Sequence, residues 1–124
     1  MISYVHSTTV CVSDQVAALD FYVNTLEWEK VIDAQMGESM HFITVRPVGS
    51  TTEIALGQAE WFEDERSRPG TNGISLATGD IDATVATLEQ RGVKFKGPIE
   101  DMPWGDRETW FYDPDGNEFF LVEG

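Results

Sequence analysis

The sequence predicts an α+β fold made of one strand–helix–strands module used twice, and three observations carry that prediction. The chain repeats itself: Val12 to Trp28 aligns without a gap on Thr78 to Lys94. Asp14 thereby falls on Asp80, Ala17 on Ala83, Leu19 on Val85 and Tyr22 on Leu88, all 66 residues apart. A second block, Thr52 to Leu56, lies over Asn117 to Leu121 at a spacing of 65, which puts Glu53 on Glu118 and Leu56 on Leu121. Two blocks in the same order at nearly the same spacing are hard to obtain by chance, and a repeat of this length decides the architecture. The third observation is the change of period within each copy, from short Thr-, Val- and aromatic-rich runs to a helical stripe and back.

In chain order, the stretch His6 to Val12 reads as a strand and ends at Ser13 and Asp14, side chains suited to cap a helix. A helix follows, with Leu19, Tyr22, Val23 and Leu26 on one stripe at i, i+3, i+4 and i+7. Shorter strands are expected around Lys30 to Ala34, Met40 to Arg46 and Glu53 to Gly57. In the second copy Ile81, Val85 and Leu88 make the equivalent stripe, and Gly92 stands where a left-handed C-terminal cap belongs. Strands then follow at Val93 to Ile99, Thr109 to Tyr112 and Glu118 to Val122. Asp113-Pro114-Asp115-Gly116-Asn117 joins the last two, a run of the residues that set tight-turn geometry. The domain prediction is a single domain over 1–124, with a first module at 1–58, a linker at 59–71 and a second module at 72–124.

Composition bounds the function classes. At 124 residues, 41% hydrophobic and 24% charged, the chain has the size and balance of one globular domain. With 22 acidic against 8 basic residues the net charge is −14, which disfavours nucleic acid and anionic membranes, since both need clustered Lys and Arg. The same acidity suits solubility and would steer a cationic ligand inward. The start MISYVHSTTVCVSD has no basic region followed by an apolar run, and no stretch approaches the ~20 apolar residues of a membrane span. A cytoplasmic location is expected. Cys11 stands alone, which precludes an intrachain disulfide and reads as a small buried hydrophobe.

The stretch VSDQVAALDFYVNTLEWE, the helix IDATVATLEQRGV and the closing DPDGNEFFLVE together resemble the vicinal-oxygen-chelate superfamily of glyoxalases, bleomycin-resistance proteins and dioxygenases, over essentially the whole chain. The resemblance implies that each module curls its sheet into half of a cup, and that two halves close around one pocket within the chain or across a dimer. A homodimer is the expected state. It also implies where catalytic members hold a divalent metal: on the first and fourth strands of each module, at positions occupied here by Ser7, Ala55, Gly73 and Phe120. None of these binds a metal as imidazole or carboxylate does, so the reading expects no metal and no cofactor. His6 is one residue away, on the opposite face of a strand, and Glu53 and Glu118 lie two residues before their ligand positions.

Alternation from those positions nominates the pocket wall. Ser7, Thr9 and Cys11 share a face in the first module, as do Gly73, Ser75 and Ala77 in the second. Trp110 and Tyr112 are expected to turn inward, with Ile43 and Val45 as their first-module mates and His41 on the face shared with Glu108. The candidate ligand-binding residues are therefore Ser7, Thr9, His41, Ile43, Ala55, Gly73, Ser75, Trp104, Trp110, Tyr112 and Phe120, with Trp104 in a loop that could close the mouth. Such a wall suits stacking on a small aromatic or hydrophobic ligand. The leading reading is a metal-independent binder that sequesters an aromatic natural product or antibiotic, as antibiotic-binding members of the superfamily do, and so confers resistance. The alternative is a metal-free enzyme using His41 with Glu108 or Glu53 as an acid–base pair. A metal-dependent lyase or dioxygenase would need ligands that the sequence does not supply.

Overall fold

The structure, a computed structural model, describes residues 1–38, 40–58, 61 and 70–124. It divides into two compact units, Met1–Arg68 and Pro69–Gly124. Each unit holds a four-stranded mixed sheet and one helix, an α+β arrangement. The expected linker, residues 59–71, lies outside the described residues apart from residue 61 and residues 70 and 71.

In the first unit the elements are β1 (Ser7–Val12), α1 (Gln15–Asp20), β2 (Glu29–Met36), β3 (Met40–Arg46) and β4 (Glu53–Gln58). Their sheet order is β1-β4-β3-β2, with β1 parallel to β4 and the other pairs antiparallel. Asp14 caps α1 by accepting from Val16 N at 2.9 Å and Ala17 N at 3.2 Å. From Phe21 to Thr25 the helix continues as a π-helical turn, marked by Leu26 N donating to Phe21 O at 2.9 Å. That wider turn moves the buried stripe off the one expected from ideal 3.6-residue spacing. Ala18, Phe21 and Tyr22 are buried, whereas Leu19, Val23 and Leu26 are only half-buried.

The core of this unit is made by one face of the sheet, where Val10, Val12, Ile43, Val45, Ile54 and Leu56 are all buried. The β3–β4 ladder is short, with Thr44 opposite Ala55 and Val45 opposite Ile54. Past it, the buried Gln15 amide takes over: Nε2 donates to His41 O and to Leu56 O, each at 2.8 Å. One side chain thus bridges two diverging strands from the helix. Gln15→Ala is expected to lower stability by ~1–3 kcal/mol, because it orphans carbonyls that water cannot easily reach. Urea denaturation checks this, and an unchanged midpoint would mean that the two carbonyls find other partners.

In the second unit the elements are β5 (Thr71–Thr78), α2 (Ile81–Gln90), β6 (Glu100–Asp101), β7 (Arg107–Tyr112) and β8 (Glu118–Glu123), in the order β5-β8-β7-β6. Asp80 caps α2 by accepting from Ala83 N at 3.1 Å, Ile81 and Leu88 are buried, and Gly92 ends the helix at φ +86. Val93 N closes the cap on Leu88 O at 3.0 Å. The core face carries Thr109, Phe111, Phe119 and Leu121, with Phe111 and Phe119 stacked at 5.5 Å. The strand expected at Val93 to Ile99 is a correction. This segment runs beside β7 through one bridge, Phe95 to Phe111, and through backbone bonds from Lys96 N to Trp110 O and from Tyr112 N to Lys94 O. The regular edge strand is the two-residue β6 beyond Pro98, a residue with no N–H to offer a ladder.

The DPDGN turn is closed by its first residue. Asp113 Oδ1 accepts from the backbone N of Asp115 and of Asn117, both at 2.9 Å, and Oδ2 accepts from Asn117 Nδ2 at 2.8 Å. Asp113 and Asn117 are both buried, and Gly116 sits at φ +87. The turn fixes the β7–β8 register, Tyr112 to Glu118, Trp110 to Phe120 and Glu108 to Val122.

Candidate ligand-binding site

In the second unit the sheet face away from the core carries the aromatic set. Because Ser75 pairs with Phe120 and Phe120 with Trp110, these three share that face with Tyr112, Glu118, Glu108 and Ala77. Trp110 and Phe120 pack at 4.9 Å between ring centroids with planes tilted by 49°. Both are half-buried, while Ser75 and Ala77 beside them are exposed, so the rings rise from a low wall. Lys96 reaches over the same platform, its Nζ 5.8 Å from the Trp110 ring and 3.6 Å from Glu118 Oε1.

Gly73 is different. The β5–β8 ladder breaks between Thr71, opposite Glu118, and Ser75, opposite Phe120, so that three residues of β5 stand against one of β8. Gly73 lies inside that break at φ +76, and Asn72 Oδ1 accepts from Ile74 N at 2.9 Å across it. Strand alternation therefore does not carry through to Gly73. Trp104 stands apart as well. It is 69% exposed in the turn between β6 and β7, where its Nε1 donates to Asp106 Oδ2 at 3.0 Å and Met102 N to Asp106 O at 2.7 Å.

In the first unit Ser7 pairs with Glu53, Thr9 with Ala55 and Ala55 with Thr44, which brings Ser7, Thr9 and Ala55 onto the face away from the core. His41 and Ile43 are not on it, which corrects the sequence expectation. Ile43 is buried on the core face in the same alternation as Val45, which is opposite Ile54. His41 shares that alternation, and its Nε2 donates a hydrogen bond to Asp33 Oδ1 of β2. The Asp33 carboxyl is held below its ordinary value by hydrogen bonds first from Lys30 and then from His41. Glu53 points to the other face, where Thr44 Oγ1 donates to its Oε1 at 2.7 Å, so His41 and Glu53 do not form an acid–base pair. The physical cause is a slip of one residue: the mate of Trp110 is Thr44, not Ile43, and a shift of one inverts every side chain in a strand.

Phe42, Thr44 and Arg46 are thus the β3 residues on the face of Ser7 and Thr9, and all three were missed from the sequence. Arg46 Nε binds Glu29 Oε1 at 2.5 Å, and that hydrogen bond, with the nearby Glu29 and Glu53 charges, raises the guanidinium above its ordinary value. The available signal was Ile43 with Val45, two β-branched apolar residues one strand period apart, which belong in a core.

A model of the Glyoxalase/Bleomycin resistance protein/Dioxygenase superfamily matches residues 4–121. The chain belongs to that superfamily. A solved superfamily member from Sphaerobacter thermophilus DSM 20745 is 60% identical, with a TM-score of 0.92 over 99% of this chain and 98% of that one. TnmS3, described as an antibiotic binding protein from Streptomyces sp. CB03234, is 40% identical, with a TM-score of 0.83 over 98% of this chain and 96% of its own. A glyoxalase/bleomycin resistance protein from the same Streptomyces strain is 38% identical, with a TM-score of 0.78 over 95% of this chain and 98% of that one.

The positions where the sequence resemblance would place ligands for a divalent metal are Ser7 and Ala55 in the first unit and Gly73 and Phe120 in the second. They do not fit it: Ala55 offers a methyl, Gly73 no side chain, and Phe120 a ring already packed on Trp110, which leaves one neutral hydroxyl on Ser7. Among the described residues, no group of three or more His, Cys, Asp or Glu is placed to hold a metal ion. What the arrangement can do is stack a flat apolar molecule on Trp110 and Phe120 and hydrogen-bond its edges.

Proposed function

We propose that this superfamily member binds a planar, largely aromatic small molecule and sequesters it without a metal, in the manner of a resistance protein for an antibiotic or other natural product. The observation that carries this is the Trp110–Phe120 ring pair on the non-core face, in which Phe120 occupies a position where the implied metal pattern would require a donor atom. Its similarity to an antibiotic binding protein at 40% identity supports the same direction. In the second unit Gly73, Ser75, Trp104 and Tyr112 remain proposed ligand-binding residues, and in the first unit Ser7, Thr9 and Ala55 do, with Thr44 in place of Ile43. The test is a screen of polycyclic aromatic natural products by quenching of Trp fluorescence, followed by chromatography of the recovered ligand. Saturable quenching with the ligand returned intact is the expected result, and a chemically altered ligand would overturn it.

The proposed working form is a cytoplasmic homodimer. No helix among the described residues is long and apolar enough to cross a membrane. On the β2–β3 hairpin Met36, Met40 and Phe42 are exposed on the face of Thr44, an apolar strip that a second copy would cover. Sedimentation equilibrium at micromolar concentration is expected to give twice the chain mass. A strict monomer would leave that strip without a partner and refute the dimer.

A further inference from the structure

Beside the aromatic platform, between β6, β7 and the segment that precedes them, lies a cavity of about 230 Å³ lined by Lys96, Pro98, Glu100, Glu108 and Trp110 among others. It is smaller than the ~300–1,000 Å³ that a whole drug-sized ligand fills, so it suits a substituent of such a ligand. Two features say which substituent. The Trp110 ring that forms one wall already carries a cation over it, the Lys96 ammonium at 5.8 Å, held there by Glu118 at 3.6 Å. Glu100 and Glu108 also stand directly opposite each other across the β6–β7 ladder, and neither forms an ion pair with a described residue. Like charges in that cross-strand position repel, and a cation between them and the ring face would relieve it.

We infer that this cavity is a subsite for a protonated amine carried by the aromatic ligand, with Glu108 and Glu100 as its counter-charges and Trp110 as its aromatic wall. The inference rests on the reading of this face as the ligand platform, and adds the chemical class of the ligand: a flat ring system bearing a basic nitrogen. Lys96 is then the resident cation that the ligand displaces. The net charge of −14 favours the approach of such a molecule.

The probe pair is 1-naphthylmethylamine, protonated at neutral pH, and its neutral isostere 1-naphthylmethanol, titrated calorimetrically into the full chain. The amine is expected to bind roughly 5- to 20-fold more tightly than the alcohol, the combined reach of one cation–π contact and partly exposed carboxylates. Glu108→Gln should reduce the amine's advantage over the alcohol without abolishing it, since Trp110 and Glu100 remain, and retained binding of the alcohol shows that the variant is folded. Lys96→Met should tighten the amine by removing its competitor. Equal binding of amine and alcohol, unaffected by Glu108→Gln but weakened in Trp110→Ala, would overturn the amine subsite while leaving the aromatic platform standing. If neither probe binds, the subsite is overturned, and the platform falls with it only if the wider aromatic screen also fails.

Discussion

Trp110→Ala is expected to weaken binding of a flat aromatic ligand by roughly 5- to 150-fold, about 1–3 kcal/mol, the usual reach of a stacked aromatic anchor. The effect should fall at this end of the range or the other according to how much of the ligand lies on Trp110 alone, since Phe120 packs on the same ring at 4.9 Å and loses its support. His41→Gln is the contrasting variant. Because His41 pairs with Asp33 on the other face of its sheet from Ser7 and Thr9, its loss should change the dissociation constant far less. The comparison separates a binder from a catalyst, for loss of a general acid–base typically lowers a rate by ~100- to 10,000-fold while sparing affinity. Turnover of the ligand by the wild type, abolished in His41→Gln, would sink the sequestration reading.

The second large effect is on stability. Asp113→Ala should cost ~2–4 kcal/mol, because one buried carboxylate satisfies three donors and no neighbouring oxygen replaces it in an alanine variant. For a domain of this size that lowers the melting midpoint by on the order of 10 °C. Asp113→Asn keeps one acceptor oxygen and should fall between the two. The turn also sets the pairing of Trp110 with Phe120, so ligand affinity should decline in step with stability. A loss below ~1 kcal/mol would show that the turn is held by its backbone bonds and by Gly116 instead.

Much of this molecule was legible in its sequence because the repeat set two modules at once. The helix caps at Asp14 and Asp80, the left-handed Gly92 and the DPDGN turn follow from local chemistry and agree with the structure. Strand alternation, together with the ligand positions that the resemblance implies, put Trp110, Tyr112, Phe120 and Ser75 on one face, and the strand pairing does the same. The errors arose where position depends on spacing carried over a distance. In β3, the run Phe42-Ile43-Thr44-Val45 is apolar enough to read in either phase, and a repeat spacing taken one residue too long chose the wrong one. The π-helical turn at Phe21–Thr25 displaced the buried stripe for the same kind of reason, a local change of period that no ideal template contains. The core phase of Ile43 and Val45 also sets the face of Arg46, but its pairing with Glu29 was not legible, because that partner is supplied by the neighbouring strand.

Gly73 bears on how such a protein could change. With φ at +76 and three residues of β5 bulged against one of β8, the backbone itself, and not merely the side chain, has left the geometry of a donor-bearing strand. A histidine written at this position would have to adopt a left-handed conformation that costs an L-residue ~1–2 kcal/mol, and its imidazole would start from a bulge. A coordinating side chain placed there would need more than a substitution, because the bulge takes position 73 out of the regular ladder. Single substitutions among the rings and carboxylates of β7 and β8, which stand on a regular ladder, therefore reshape this face more readily than a metal ligand could be installed at position 73.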